Sequence, residues 1–270
     1  MIGVLQRALH HPRVEPVVSA ALRGRLVRES ASFTARELRG ADSAHVYRIR
    51  SSGLRAQIAH GTPDVLTLDQ AFYQHVYEPP DAISSKLELG GRPLNAVDLG
   101  ANIGMWGLWL HGRFAVERLT ALEPDPENAA KHRRQIELNR LADSWRLVQA
   151  AATCADGPVV FTVGRATTGR IGEAGEAGTV EVPGRDSFSL LDGVDLLKID
   201  IEGAEWPMLA DPRLAEMQVP AVMLEYHPRG APSANPEDAA RTALADAGFQ
   251  TWPMHGAPDG TGIVWGWRER

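Results

Sequence analysis

Two carboxylates and one imidazole follow apolar segments in the second half of the sequence. Asp200 lies near the end of VDLLKIDI, and Glu225 and His227 lie near the end of PAVMLEYHP. Open parallel sheets bind ligands beyond the carboxyl ends of their strands. A base within about 3 Å of an alcohol can take its proton, and a divalent cation can instead lower the pKa of the alcohol. The residues allow both: His227 as the base, which is narrowly favoured, or Mg or Mn bound by Asp200 and Glu225.

The other charged residues near these segments have structural interpretations. Glu202 and Glu205 are expected to cap a helix that begins near Gly203. Lys198 alternates with Asp200 on the same predicted strand, so both side chains point to one face. We expect Lys198 to form a structural ion pair with a carboxylate.

A glycine-rich turn joins an apolar strand to a helix in AVDLGANIGMWG, residues 96–107. Gly100 and Gly104 leave the backbone bare, which predicts a ligand lying against outward-pointing N–H groups. The spacing D-x-G-x-N-x-G differs from the GxGxxG of dinucleotide-binding turns. Asp98 sits at a buried strand end, where it suits a cation or an ammonium group better than a pyrophosphate. Glu123 ends the next strand, about twenty residues later, and can accept hydrogen bonds from a ribose.

Five segments together resemble, in order and spacing, the motifs of the FkbM family of S-adenosyl-L-methionine (SAM)-dependent methyltransferases. They are VDLGANIGMWGLWL, ALEPDPENAAKHRRQIELN, VQAAATCADGPVVF, LLKIDIEGAEWPML and AVMLEYHP. The match covers roughly residues 70–230, and the combination of DxGANxG with KIDIEGAE is specific. The resemblance implies a class I methyltransferase fold, SAM as methyl donor, and transfer to a hydroxyl oxygen of a secondary metabolite or sugar.

The resemblance also implies which residues contact the cofactor. The methionine end would lie at the glycine turn, the ribose at the acidic residue of the second strand, and the adenine between the segments after the second and third strands. For the two alanines of this set, simple core packing is an equal alternative. The predicted contacts, in that order, are Asp98, Gly100, Ala101 and Asn102; Glu123; and Pro124, Asp125, Ala151 and Ala152.

The elements that position these residues are predicted from Leu94 onward, where short apolar runs alternate with amphipathic stretches. The sequence predicts an α/β protein with a Rossmann-like class I methyltransferase fold and a mostly parallel seven-stranded sheet. HGAPDGTG joins the last two strands without a helix, which predicts a terminal antiparallel hairpin. We assign residues 91–270 to this SAM-binding domain.

Residues 1–90 are expected to form a cover or lid of helices and a hairpin. The hairpin is predicted from HVYRIR and LRAQIAH, and a helix from DQAFYQHVY. On that helix Tyr73 and Tyr77 would lie four residues apart, and Tyr77 is a candidate contact to cofactor or substrate. The glycine-rich segment 164–184 is either a plain surface loop or a flap over the substrate.

Composition limits the other classes of function. Cys154 is the only cysteine, so no internal disulfide or cysteine zinc site is expected. A net charge of -6 with scattered Arg and Lys disfavours nucleic acid, and the absence of a long apolar segment predicts a cytoplasmic protein without membrane contact. We expect a small-molecule substrate, and the sequence is compatible with a homo-oligomer. The alternatives are an NAD(P)-dependent oxidoreductase and a SAM-binding subunit without activity.

Overall fold

A computed structural model describes residues 15–40, 43–89, 91–162, 170–171 and 178–269. Internal contacts divide the chain into two compact units, Met1–His75 and Val76–Arg270. The sequence had suggested a division at residue 90. The role of the first unit as a cover stays a prediction.

The described residues of the first unit form three helices and a two-stranded antiparallel hairpin. Its elements are α1 Glu15–Gly24, α2 Ser30–Arg39, β1 Ala44–Arg48, β2 Arg55–Ala59 and α3 Asp64–Phe72. The rings of Phe33 and Tyr47 pack edge to face at 5.0 Å in its core. His60 is fully buried because both ring nitrogens have partners, the Tyr47 hydroxyl at 2.7 Å and Glu37 Oε2 at 2.8 Å.

The predicted helix over DQAFYQHVY is wrong in its position. Helix α3 begins at Asp64 and ends at Phe72, where the carbonyl of Asp69 accepts the N–H groups of the next two residues. His75 then has a φ of 55°, in the left-handed region, which a helix cannot include. Tyr73 is exposed and Tyr77 is buried, so the two rings do not share a helix face.

The second unit contains six α-helices among its described residues. They are α4 Asp81–Leu89, α5 Met105–Arg113, α6 Pro126–Asn139, α7 Glu205–Leu209, α8 Arg213–Glu216 and α9 Pro236–Asp246. Asp125 and Asn235 are the N-caps of α6 and α9, and each is followed by a proline at the first helical position. Among the described residues no helix is long and apolar enough to cross a membrane.

Eleven described strands follow β2, and a short 3-10 helix, Ser187–Leu190, lies between the ninth and tenth strands of the chain. The strands are β3 Leu94–Leu99, β4 Val116–Leu122, β5 Trp145–Val148, β6 Ala151–Thr153, β7 Gly157–Thr162, β8 Arg170–Ile171, β9 Thr179–Asp186, β10 Leu196–Ile199, β11 Ala221–Tyr226, β12 Gln250–Gly256 and β13 Gly262–Trp267.

Seven of these strands form the main sheet, in the order β12-β13-β11-β10-β3-β4-β5. Strands β11 to β5 are parallel, and β13 runs antiparallel to both of its neighbours. The predicted mostly parallel sheet with a terminal antiparallel hairpin is therefore confirmed. Strand order reverses between β3 and β10, and β3, β10 and β11 are nearly continuous apolar runs because both faces of the central sheet are buried.

A second sheet has the order β6-β9-β7-β8. The sequence predicted one strand over WRLVQAA, but β5 ends at Val148 and Ala151 starts β6 in this second sheet. Of the glycine-rich segment 164–184, which was predicted as a surface loop or a flap, residues 179–184 belong to β9 and pair with β7. Residues 163–169 and 172–177 lie outside the described residues.

Candidate active site at the carboxyl ends of the parallel strands

Three adjacent strands deliver charged side chains to one edge of the main sheet. Asp98 of β3 is paired in register with Lys198 of β10. Asp200 follows the end of β10, and Glu225 lies at the end of β11, one residue beyond the pair formed by Ile199 and Leu224. This edge is the ligand-binding edge of an open parallel sheet, next to the point where strand order reverses.

Lys198 is almost completely buried, and its ammonium group donates to three acceptors. Its Nζ atom lies 3.1 Å from Asp98 Oδ1, 3.0 Å from Asp200 Oδ2 and 3.2 Å from the carbonyl oxygen of Gly100. Burial alone would lower the pKa of Lys198, but Asp200 and Asp98 raise it above its usual value. The expected structural ion pair is therefore present, and it has two carboxylates.

Asp98 has no exposed surface, and its second oxygen, Oδ2, has no hydrogen-bond partner among the described residues. Burial raises the pKa of Asp98, and the attraction of Lys198 opposes that shift. An unpaired carboxylate oxygen in the interior is costly unless a donor reaches it. A donor on a ligand, such as an ammonium group, would satisfy this atom.

The glycine turn differs from its predicted form, because its N–H groups do not face outward. Every N–H from Gly100 to Gly104 donates to an acceptor of the protein. The acceptors, in order, are Leu122 O at 3.1 Å, Leu122 O at 2.9 Å, Glu123 Oε2 at 2.7 Å, Asn102 Oδ1 at 2.7 Å and Ala101 O at 3.0 Å. These five N–H groups leave no cradle for a pyrophosphate, and a dinucleotide is disfavoured.

The protein's own packing requires glycine at two positions in this turn. A Cβ atom at Gly100 would lie 1.7 Å from the carbonyl oxygen of Asp200. A Cβ atom at Gly104 would lie 3.0 Å from the ring of His132, which is fully buried and bonds the Asn102 carbonyl through Nδ1 at 3.1 Å. The glycines therefore allow the turn to pack against the loop after β10 and against α6.

Glu123 connects the turn to the end of β4. Its Oε2 accepts the N–H of Asn102 at 2.7 Å, and its Oε1 accepts the N–H of Asp125 at 2.9 Å. Burial raises the pKa of Glu123 to about 7, although both hydrogen bonds favour the ionised form. Each oxygen keeps one lone pair for a further donor.

The residues assigned to the adenine have clear structural roles. Asp125 caps α6 by accepting the N–H groups of Glu127 at 2.8 Å and Asn128 at 3.1 Å. Ala151 packs in a small cluster of the second sheet, and Ala152 packs in the main core. Because successive strand residues point to opposite faces, the two alanine side chains cannot both line one face of a base.

The loop after β10 brings two further glutamates to His227. Glu205 is fully buried and accepts the N–H of Gly203 at 2.7 Å and the N–H of His227 at 2.7 Å. The first bond is not the predicted helix cap, because Gly203 precedes the N-cap residue Ala204. The Oε1 atom of Glu205 lies 3.2 Å from His227 Nδ1. Glu202 does not cap the helix: its backbone is left-handed, with a φ of 54°, and its Oε2 lies 3.5 Å from His227 Nε2.

These partners change the expected role of His227. Burial would lower the pKa of His227, but the Glu205 hydrogen bond and the nearby carboxylates raise it to about 9. At neutral pH the ring is then an imidazolium with a glutamate side chain at each nitrogen. Such a ring donates protons and cannot accept one, so the geometry disfavours His227 as the base.

Glu225 is the second candidate base at this edge of the sheet. Within the described part of the chain its carboxylate has no hydrogen-bond or ion-pair partner within bonding distance. Burial, with Asp200 in support, raises the pKa of Glu225 to about 8. The buried phenol of Tyr77 also experiences the field of Lys198, Asp200 and Glu225, and burial raises the pKa of Tyr77 above its usual value.

The candidate metal ligands also differ from the predicted pair. Ligand atoms of Asp200, Glu202 and His227 lie within 4.8 Å of one another, whereas the sequence paired Asp200 with Glu225. The sequence contained a signal for this set, because IEGAE places two glutamates directly after the KID strand. No sequence pattern indicated that Glu202 would turn toward His227, since its left-handed backbone depends on the packed loop.

Two features define the class I methyltransferase fold. The antiparallel strand β13 lies between β12 and β11 in the main sheet, and acidic residues lie at the ends of β3 and β4. A sequence profile described as the methyltransferase FkbM domain matches residues 98–251. The chain belongs to this family, whose members are SAM-dependent methyltransferases. No curated protein matches the sequence.

The solved structures that match this chain include three methyltransferases. An FkbM methyltransferase from Methylobacillus flagellatus has 16% identity and a TM-score of 0.46, and the match covers 94% of this chain but 59% of that one. Precorrin-6y C5,15-methyltransferase from Geobacter metallireducens has 16% identity, a TM-score of 0.43 and coverages of 69% and 87%. Magnesium protoporphyrin IX methyltransferase from Synechocystis, with bound SAM, has 14% identity, a TM-score of 0.40 and coverages of 70% and 77%.

Proposed function

We propose that the protein transfers a methyl group from SAM to a hydroxyl oxygen of a small molecule. The observation that carries the proposal is the buried, unpaired Oδ2 of Asp98 beside Glu123 at the end of the next strand. An ammonium group fits the first carboxylate, and the lone pairs of the second suit a ribose diol. SAM supplies both groups together with an activated methyl group.

The remaining predicted contacts would surround these two carboxylates. Gly100, Ala101 and Asn102 form the turn against which the methionine end would lie, and Pro124 lies beside Glu123 for the adenine. Tyr77 would contact the cofactor or the acceptor from the face that carries Lys198. These assignments rest on the positions of the residues around the turn.

Glu225 is the proposed base for the acceptor hydroxyl. The protein's task is then to hold this hydroxyl near the carboxylate of Glu225, which removes its proton, and to orient its oxygen. With a pKa of about 8, Glu225 removes the proton only in its ionised form, whose share grows as the pH rises through 8. His227 would contribute positive charge next to the site, and Asp200 a hydrogen-bond acceptor.

A divalent cation is the second candidate for activating the acceptor. Two carboxylates and one imidazole suit Mg or Mn with added water ligands, and Asp200, Glu202 and His227 are close enough to share one ion. The cation would lower the pKa of a bound hydroxyl. Titration of EDTA-treated protein with MnCl2, followed by calorimetry, tests this site, and Glu202→Gln is expected to weaken any binding.

The experiment that tests the function is calorimetry with S-adenosylhomocysteine, followed by a screen of hydroxylated small molecules for S-adenosylhomocysteine release. We expect micromolar binding and turnover with at least one acceptor. Binding without turnover across sugars, polyketides and phenols would favour the SAM-binding subunit without activity. NADH binding with no S-adenosylhomocysteine binding would favour an oxidoreductase.

A further inference from the structure

Lys198 lies between the proposed cofactor site and the proposed acceptor site. Its ammonium contacts Asp98 on one side and Asp200 on the other, with the Gly100 carbonyl as the third acceptor. Because Lys198 and Asp98 are register partners on adjacent parallel strands, their separation is fixed by the main-chain ladder. The two side chains therefore extend from adjacent, fixed positions on the backbone.

This arrangement determines which oxygen of Asp98 is free. Lys198 occupies Oδ1 at 3.1 Å and leaves Oδ2 without a partner among the described residues. A carboxylate in the interior keeps its charge only when a counter-charge compensates for the lost hydration. Lys198 supplies that charge, and its bond to the Gly100 carbonyl holds the turn beside the same carboxylate.

We propose that Lys198 is a positioning residue for the amino-acid tail of the methyl donor. Its ammonium supplies the counter-charge for Asp98 and occupies Oδ1, so that Oδ2 faces the tail, and it links this carboxylate to Asp200 on the acceptor side. The proposal rests on the proposed function, because it requires SAM at the glycine turn. Lys198 acts through Asp98 and needs no contact with the substrate.

Two ligands that differ only in the tail test the proposal. S-adenosylhomocysteine carries the amino-acid tail, and 5′-methylthioadenosine has the same adenosine and thioether without it. In calorimetry, Lys198→Met is expected to weaken S-adenosylhomocysteine binding about 10- to 100-fold and to change 5′-methylthioadenosine binding less than about twofold. Lys86→Met is the matched control, since Lys86 pairs with the exposed Glu269. It should leave both affinities unchanged.

A double-mutant cycle tests whether Lys198 acts through Asp98. In the Asp98→Asn background, Lys198→Met should have little further effect on S-adenosylhomocysteine binding, and this pair of changes leaves no unpaired charge at position 98. Additive losses would overturn the mechanism. So would unchanged S-adenosylhomocysteine binding in Lys198→Met, or an equal loss of both ligands, including a loss through unfolding. If the unaltered protein binds neither ligand, the proposed function itself fails.

Discussion

The Nδ1 atom of His227 lies 3.2 Å from Oε1 of Glu205, a carboxylate with no exposed surface. The same carboxylate accepts the N–H groups of His227 and Gly203. One glutamate therefore fixes the end of β11, the loop after β10 and the protonation of an imidazole. The residue that looked most like a base in the sequence is held as a cation.

Replacing Glu205 should destabilise the protein. Glu205→Gln removes the charge and places an amide NH2 among N–H donors, so we expect a loss of about 3 kcal/mol in the free energy of unfolding by urea. Glu202→Gln is the matched control, because Glu202 contacts the other ring nitrogen from a partly exposed position. Its loss should stay below about 1 kcal/mol. Equal losses for the two variants would contradict this account of the site.

Replacing Glu225 and replacing His227 should lower kcat by different factors, measured with an acceptor found by the screen. Glu225→Gln is nearly isosteric and cannot accept a proton, so kcat should fall about 100- to 1,000-fold with S-adenosylhomocysteine affinity unchanged. His227→Gln should reduce kcat less, because the ring supplies charge and not a base. A larger effect of His227→Gln than of Glu225→Gln would return the base to His227.

The pKa of Glu123 predicts how cofactor binding depends on pH. With the pKa at about 7, the carboxylate is mostly protonated at pH 6 and mostly ionised at pH 8. The ionised form accepts hydrogen bonds from a ribose diol more strongly. S-adenosylhomocysteine affinity should therefore rise about tenfold between pH 6 and pH 8. Glu123→Gln should remove this dependence, and an unchanged slope in that variant would assign it to another group.

The raised pKa of Glu123 also determines how the stability of the ligand-free protein changes with pH. Because folding raises the pKa of Glu123 from 4.5 to about 7, the protonated form is favoured in the folded state. The contribution of protonated Glu123 to the free energy of unfolding is fully present below pH 4.5 and is lost as the pH rises to 7. Urea unfolding of Glu123→Gln, compared with the unaltered protein, should show a gain in relative stability over this range. A constant difference would argue against a buried, ionising Glu123.

The sequence predicts the main parallel sheet, but it does not predict which side chains meet in the site. Apolar runs such as those of β3 and β10 predict buried parallel strands because periodicity and length are local properties. The pairing of Glu202 with His227 depends on a left-handed residue in a loop, and that conformation results from tertiary packing. The segment DQAFYQHVY predicts a helix that includes Tyr77, but the backbone turns at His75.

The glycine turn illustrates the same limit. D-x-G-x-N-x-G correctly marked a strand-to-helix turn, but the pattern does not reveal what approaches each glycine. The approaching group at Gly100 is the carbonyl of Asp200, about a hundred residues away in the chain. Contacts over such separations are set by strand order, which a local pattern does not specify.

Gly100→Ala should therefore destabilise the protein far more than replacing a glycine whose only special feature is its left-handed backbone. Gly100 and Gly248 have φ values of 80° and 89°, but a Cβ atom at Gly248 meets nothing within 4 Å. Gly248→Ala should cost about 1–2 kcal/mol in urea unfolding, from backbone strain alone. Gly100→Ala must also displace the Asp200 carbonyl, so we expect a larger loss of stability and loss of S-adenosylhomocysteine binding. Comparable stability and retained binding in both variants would show that the loop after β10 moves freely away from the turn.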